Sequence, residues 1–190
     1  MNQNIKKLTV IALAVALNIV GSNVALLLKL PIFLDSIGTM LSAIVIGPVA
    51  ALLTALVGGL VNGALGDIYA IYFAPSGMLM GLMAGLLLHE KKTTLPAILW
   101  KNFFAVLPGS ALSSLISTIL FGGITSALVT TTIVQVLSAT WLSLFQSAFL
   151  VQLATDYADK LVAILLVVVV VKRLPYEVTH FAKKDSEATA

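Results

Sequence analysis

The side chains in this sequence that could do chemistry are a few acidic, amide and aromatic residues among long apolar segments. Four aspartates border or interrupt those segments: Asp35, Asp67, Asp156 and Asp159. Other polar and aromatic side chains accompany them, at Asn23, Lys29, Asn62, Tyr69, Tyr72, Trp141, Gln146, Gln152, Tyr157 and Lys160. Polar groups beside lipid are costly unless they face a partner or a water-filled cavity. Their types therefore indicate a pocket for a small polar molecule.

The residues that we predict to bind substrate come from this set. Asn62 lies deep within an apolar segment and is a stronger candidate than Tyr69, because tyrosine and tryptophan often form belts at membrane interfaces. Ordinary roles also fit some members: Asp35 could help to cap a helix, and Asp156 with Lys160 could form an ion pair at a spacing of four residues. The predicted substrate-binding residues are Asn23, Lys29, Asp35, Asn62, Asp67, Tyr72, Trp141, Gln146, Gln152 and Asp156.

Catalysis and metal binding are not expected from these residue types. The chain has no cysteine, so thiolate ligands and cysteine nucleophiles are excluded. It has no glycine-rich phosphate loop and no His-Glu-x-x-His motif. We also expect no pair of carboxylates buried deep in a spanning helix, and we predict no catalytic residue, no metal site and no cofactor. Any transport would need energy from another protein.

The elements that must position these residues are membrane-spanning helices. Hydrophobic residues make up 59% of the 190-residue chain and charged residues only 10%, with a mean hydropathy of +1.08. A soluble domain carries about 25% charged residues. The apolar segments are long and unbroken, as spanning helices of roughly 20 residues require, whereas barrel strands alternate over about 10 residues. The composition therefore predicts an all-α integral membrane protein.

We predict one membrane domain of six transmembrane helices at 1–175 and a polar cytoplasmic tail at 176–190. The predicted spans are 8–28, 33–46, 49–65, 71–88, 96–121 and 148–172. The segment 124–149 is rich in serine, threonine and glutamine, and we predict an additional amphipathic or re-entrant helix in the outer leaflet there.

Loop charge supports this count. Lysine and arginine favour the cytoplasmic side, and six spans leave only Lys29 and Lys160 of the eleven basic residues outside. A seventh span would remove this asymmetry. Both termini are then cytoplasmic, and the four aspartates fall at helix ends or loops on the outer side.

Small residues at a spacing of four indicate where helices approach each other. Ala12 and Ala16 have this spacing in the first segment, and such pairs allow close contact between helices in lipid. The same spacing occurs among the glycines Gly59, Gly63, Gly77, Gly81 and Gly85. We expect the glycines to pack internally, whereas a peripheral first helix leaves Ala12 and Ala16 open to a partner.

Several short strings resemble a known transporter family. They are Phe33-Leu34-Asp35-Ser36-Ile37-Gly38-Thr39, then Ile46-Gly47-Pro48 before a glycine-rich helix, and Asp159-Lys160 before an apolar run that ends in Lys172-Arg173-Leu174-Pro175. With the chain length and the alanine pair, they resemble the substrate-binding S components of energy-coupling factor (ECF) transporters.

This resemblance implies a function and a set of partners. It implies a six-helix subunit of the bacterial cytoplasmic membrane that captures a water-soluble vitamin or precursor at the outer face. Delivery inward would need a transmembrane coupling subunit and two cytoplasmic ATPase subunits, and no nucleic acid is involved. The resemblance also implies that Ala12 and Ala16 dock the coupling subunit, and that residues 30–35 close over the ligand.

The ligand and one alternative function stay open at this point. Four outer aspartates against two lysines favour a neutral or cationic heteroaromatic ligand, such as riboflavin, hydroxymethylpyrimidine or pyridoxine. Pantothenate also fits if Lys29 or Lys160 binds its carboxylate. The alternative function is a membrane-embedded ligand-sensor domain of a signalling system, and the absence of an output module from this sequence argues against it.

Overall fold

Seven α-helices make up the regular structure of the described residues. The computed structural model describes residues 3–30, 32–89, 94–125, 127–171 and 173, so the predicted tail at 176–190 lies outside the described residues. The helices are α1 (Gln3–Leu27), α2 (Ile37–Val45), α3 (Pro48–Ala64), α4 (Ile68–Leu88), α5 (Leu95–Phe121), α6 (Leu128–Ser138) and α7 (Leu144–Val171). No strand occurs in these ranges, which confirms the predicted all-α class.

The helices differ in their capacity to cross a membrane. Among the described residues, α1, α4 and α5 are long and apolar enough to span it, whereas α3 and α6 are shorter apolar helices. Helix α2 has nine residues and is about 13.5 Å long, well short of a ~30 Å hydrocarbon layer. Helix α7 has 28 residues but contains three charged side chains. The count of six spans therefore stays a prediction.

The segment 124–149 contains one short helix and the start of the next. Helix α6 occupies its middle, and α7 already begins at Leu144, four residues before the predicted span. Val134 of α6 packs against Ala148 and Val151 of α7 in a small apolar cluster. Helix α6 is therefore attached to the first half of α7.

Helix α2 lies at the centre of the fold. Seven of its nine residues are buried, and its Met40 and Leu41 belong to a core that includes Ala84, Ile98 and Ile164 from α4, α5 and α7. Close approach to α1 depends on Gly38, because an added Cβ there would overlap the backbone of Ala14. The short helix is thus enclosed by the longer ones.

The N-terminus of α2 is capped from a neighbouring helix. Asn18 of α1 accepts hydrogen bonds through Oδ1 from the N–H groups of Gly38 (2.7 Å) and Thr39 (3.3 Å), and its Nδ2 donates to Thr39 Oγ1 at 2.8 Å. The N-cap residue Ser36 makes no capping hydrogen bond with its own side chain. The capping role considered for Asp35 is therefore wrong. Asn18 fixes the position of α2 and of the chain that enters it.

The outward faces of the helices are apolar. Exposed side chains include Leu8 (67%), Val49 (67%), Ile119 (74%) and Val169 (63%). Such a surface suits lipid rather than water, since exposed apolar area is unfavourable in an aqueous solvent. Many polar side chains of the helices are buried instead, among them Asn18, Thr54 and Ser110.

Candidate substrate-binding site

A cavity of about 210 Å³ lies among the helices, beside the C-terminal end of α1. Residues of α1, α3, α4, α5, α6 and α7 line it, together with the loop between α1 and α2, which runs from residue 28 to residue 36. The polar residues of its wall are Ser22, Lys29, Asp35, Asn62, Asp67, Tyr69, Ser76, Ser113, Thr125, Gln152, Asp156 and Lys160. Every described helix except α2 therefore contributes to this cavity.

Six of the ten predicted binding residues line this cavity. They come from positions far apart in the sequence: Lys29, Asp35, Asn62, Asp67, Gln152 and Asp156. The fold thus brings together the α1–α2 loop, α3, the α3–α4 turn and α7.

The structure places the other four outside the cavity. Asn23 is exposed and donates to the Ile19 carbonyl of its own helix at 2.8 Å. Tyr72 is 46% exposed and packs on the ring of Phe121. Trp141 is 89% exposed, and Gln146 accepts a hydrogen bond from the Ser143 N–H at 3.0 Å. These positions suit lipid contact and local helix structure.

A charge cluster centred on Lys160 borders the cavity through Lys160, Asp35 and Asp156. Lys160 Nζ lies 2.8 Å from Asp159 Oδ2, 3.5 Å from Asp35 Oδ1 and 3.7 Å from Asp156 Oδ1. Lys160, Asp156 and Asp159 are at most 5% exposed, whereas the side chain of Asp35 is 47% exposed. We call Lys160 and its three partners, Asp35, Asp156 and Asp159, the Lys160 cluster.

This cluster corrects two expectations. Asp156 and Asp159 were expected at helix ends or loops, and no carboxylate pair was expected deep in a helix. Both aspartates lie in the interior of α7 and both are buried. The physical reason is that a neighbouring ammonium group, together with hydroxyl and backbone donors, offsets part of the cost of burying carboxylates. Three charged residues within five positions of an apolar helix were the signal for such a cluster.

Asp159 attaches the α1–α2 loop to α7. Its Oδ1 accepts from the Leu34 N–H at 2.7 Å, and its Oδ2 accepts from Ser36 Oγ at 3.0 Å. Leu34 adopts a φ of 51°, which is uncommon for a residue with a branched side chain. On the other side, the loop touches α1, because Gly21 has no room for a Cβ against the Leu34 carbonyl. The loop is therefore held by α1 and α7 at once.

Asp156 presents one oxygen that is less well satisfied. Its Oδ2 accepts from Ser110 Oγ of α5 at 2.7 Å. Its Oδ1 lies 3.7 Å from Lys160 Nζ, which is beyond hydrogen-bond distance. Since Asp156 also lines the cavity, this oxygen is available to a donor on a ligand.

Two side-chain amides in the cavity wall lack hydrogen-bond partners. Asn62 is 8% exposed and Gln152 is 4% exposed. Within the described ranges, neither side-chain amide makes a hydrogen bond. Both residues line the cavity, and an amide can both donate and accept, so both groups are suited to bind polar atoms that enter the cavity.

Aromatic rings form the opposite wall. Phe33, Tyr69 and Phe73 line the cavity. The ring of Phe121 on α5 lies 4.9 Å from that of Tyr69 and 6.0 Å from that of Phe73, distances typical of favourable aromatic pairs. These contacts fix the orientation of an apolar surface against which a flat ring can stack.

Asp67 lies at the turn between α3 and α4 and is not a member of the Lys160 cluster. Burial raises the pKa of its carboxyl group, although backbone N–H groups of Tyr69 and Ala70 favour the ionised form. This second acidic group lies on the cavity wall contributed by the α3–α4 turn.

A smaller recess of about 80 Å³ continues from the main cavity toward α2. The two share Asp35, Asn62, Phe73 and Lys160, and the recess adds Asn18 and Thr39. Its size and the polar side chains in its wall suit a substituent of the ligand or ordered water.

Comparison with known proteins identifies the family. A family model described as the substrate-specific component of ECF transporters matches residues 6–175, nearly the whole chain. The chain belongs to this family. A search of curated proteins and a search of solved structures each found no significant match.

Membership defines the general role. This S component is a subunit of a multi-pass membrane transporter, not an enzyme, and it associates with the ECF coupling module and its ATPases. The resemblance inferred from the sequence is thereby confirmed. The cavity, with the Lys160 cluster and the amides of Asn62 and Gln152, is the candidate substrate-binding site of this S component.

Proposed function

We propose that this S component captures a water-soluble vitamin or vitamin precursor in the 210 Å³ cavity and delivers it inward with its coupling subunit and two ATPases. The observation that carries the proposal is the pair of side-chain amides of Asn62 and Gln152, which have no hydrogen-bond partner among the described residues and line the same cavity as Asp156. A small polar molecule would satisfy all three groups.

The size of the cavity bears on the class of vitamin. Sites for drug-sized ligands occupy about 300–1,000 Å³, and this cavity measures about 210 Å³. It therefore favours the single-ring hydroxymethylpyrimidine and pyridoxine class over the three-ring riboflavin. Pantothenate is the remaining alternative, with Lys29 at the cavity as the partner of its carboxylate.

The membrane arrangement that accompanies this proposal has six spans and both termini in the cytoplasm. Charge asymmetry supports it, since the cytoplasmic segments then hold most lysines and arginines. Substrate enters from the outside, on the side of the α1–α2 loop, and residues 30–35 close over it.

The coupling subunit docks on α1 in this proposal. Ala12 and Ala16 are exposed, whereas Ala14 between them is fully buried. Exposed Leu8 and Leu13 extend the same apolar surface. Small residues flanked by leucines allow a second helix to approach closely within lipid.

Binding and uptake test the proposal in two steps. The purified chain should retain a small molecule that mass spectrometry identifies, and isothermal titration should show that the chain alone rebinds it. Uptake into vesicles should require the coupling subunit, the ATPases and ATP. A signalling sensor would bind the molecule without such uptake, and failure to bind any small molecule would contradict the proposal.

A further inference from the structure

The charges around the cavity are unbalanced. The Lys160 cluster places three carboxylates around one ammonium group, which leaves two negative charges in excess when all four groups are ionised. Asp156 and Asp159 are buried, whereas the side chain of Asp35 is 47% exposed. Excess charge on buried carboxylates is costly unless a partner offsets it. The other lysine of the cavity, Lys29, is exposed and lies outside the cluster.

The three carboxylates are not equivalent. Asp159 is saturated by Lys160, by Ser36 and by the backbone of Leu34. Asp35 and Asp156 lie 3.5 and 3.7 Å from Lys160 Nζ, and both line the cavity. The unbalanced charge therefore faces the space that a ligand would occupy.

Lys160 is poorly placed to bind an anion. A ligand carboxylate near its Nζ would lie beside three protein carboxylates, and like charges at such distances repel. The amides of Asn62 and Gln152 provide a second, independent indication of a ligand, because each lines the cavity and has no hydrogen-bond partner in the part of the chain that the structure describes. Amides can bind the ring nitrogens and hydroxyl groups of a heterocycle, since they both donate and accept.

Resting on the proposed function, we propose that the ligand is a small heteroaromatic base whose protonated nitrogen or amino group donates to Asp156 and Asp35. Asn62 and Gln152 bind its other polar atoms, and its ring lies against Phe73. A ligand with a net negative charge at pH 7 is selected against.

A matched series of probes tests this charge selection. Pyridoxamine, pyridoxine and 4-pyridoxate share one pyridine ring and differ only in an aminomethyl, hydroxymethyl or carboxylate group. Titration of the purified chain at pH 7, with 4-amino-5-hydroxymethyl-2-methylpyrimidine as a fourth probe, should rank the anionic probe weakest. We expect at least a tenfold gap between the tightest basic probe and 4-pyridoxate.

Two variants locate the effect. Asp156→Asn keeps the shape of the side chain and can still accept from Ser110, so it should fold, as thermal unfolding in detergent can verify. The Asp156→Asn variant should bind the tightest basic probe at least tenfold more weakly. The difference in affinity between that probe and 4-pyridoxate should therefore become smaller. Asp67→Asn changes the same chemistry in the same cavity but outside the Lys160 cluster, and it should cause a smaller loss.

Other outcomes would overturn the inference. Preferred binding of 4-pyridoxate or pantothenate, abolished by Lys29→Met, would show that the cavity selects anions while leaving vitamin capture intact. Equal losses in Asp156→Asn and Asp67→Asn would remove the role of the Lys160 cluster. Binding of none of the probes would also overturn the ligand class, whereas the proposed function would then be judged separately by the co-purified molecule and by uptake.

Discussion

Lys160 has a larger structural role than its single charge suggests. It lies within 3.7 Å of three carboxylates, two of them buried with it inside α7. Without this ammonium group, the carboxylates would face each other with no opposite charge among them. In the interior of a membrane protein that arrangement is unfavourable.

We predict that Lys160→Met destabilises the protein severely. Removal of one partner from a buried charge cluster costs roughly 3–5 kcal/mol. Thermal unfolding of the purified protein in detergent measures the loss. Lys29→Met is the matched control, because Lys29 is exposed and its replacement should change the unfolding temperature far less. Equal shifts for the two variants would contradict the importance of the cluster.

We predict that Asn62→Ala weakens ligand binding by about 1–3 kcal/mol, the usual cost of a lost buried hydrogen bond. The unliganded protein should lose little stability, because the Asn62 amide has no partner in the described part of the chain. Titration with the co-purified molecule and thermal unfolding measure the two effects.

Asn18→Ala provides the opposite pattern as a control. Asn18 lies outside the main cavity and caps α2, so its loss should lower stability by about 1 kcal/mol. If Asn62→Ala destabilised the unliganded protein as much as Asn18→Ala, Asn62 would be a packing residue.

For single residues, the sequence indicated which polar side chains line the cavity better than it indicated which groups they contact. Asn62, Gln152 and Asp156 were identified because polar groups in apolar segments need a reason to be there. Asp159 was not selected, because its partners Leu34 and Ser36 are more than 120 residues away and one sequence does not show long-range contacts. Trp141 was selected for its type, although its 89% exposure suits lipid.

Among the elements, the loop between α1 and α2 is the one that the structure constrains most specifically. The Asp159 carboxylate accepts hydrogen bonds from two groups of this loop, the backbone N–H of Leu34 and the side-chain hydroxyl of Ser36. The loop also contributes Phe33 and Asp35 to the cavity wall. Its attachment to α7 should therefore influence how long a ligand stays bound.

We predict that Asp159→Asn speeds ligand dissociation. The asparagine can still accept from the Leu34 N–H, but its amino group cannot accept from Ser36 or Lys160, so the loop should open more often. Stopped-flow dissociation measures the rate. Ser36→Ala removes only one of these contacts and should give a smaller increase. An unchanged rate in Asp159→Asn would mean that loop opening does not limit release.

We predict that Ala12→Leu or Ala16→Leu impairs complex formation with the coupling subunit and reduces uptake, while ligand binding is retained. Both alanines are exposed on α1, so a larger side chain would hinder a docking helix. Co-purification with the coupling subunit and vesicle uptake measure the effect.

Ala14→Leu is the matched control on the same helix. Ala14 is fully buried against Gly38, so overpacking should cost about 1–3 kcal/mol of stability. Loss of ligand binding in the Ala12 and Ala16 variants would show that these residues pack internally.

Helix boundaries were predictable where glycine and proline interrupt the chain. Gly47, with a φ of 120°, separates α2 from α3, and Pro48 opens the first turn of α3. The start of α2 was predicted four residues too early, at 33 instead of Ile37. The apolar run continues through the loop there, whereas the helix begins where Asn18 of another helix accepts from the Gly38 N–H, a contact that one sequence does not show.

For the whole molecule, composition was the most informative property. A charged fraction of 10% and a mean hydropathy of +1.08 are incompatible with a surface exposed to water on all sides, and the exposed side chains are indeed largely apolar. The cavity was less predictable, because six helices that are dispersed along the chain contribute to it.

The contact between Leu34 and Asp159 also bears on the biosynthesis of this protein. These residues are 125 positions apart, so the loop leaves the ribosome long before the aspartate that holds it. Asp156 and Lys160 emerge equally late. During translation, the Asp35 carboxylate therefore has no Lys160 to pair with until α7 is inserted. A nascent chain that stops before α7 also lacks one wall of the cavity. If the cavity is the binding site, capture of substrate can begin only after α7 has been made.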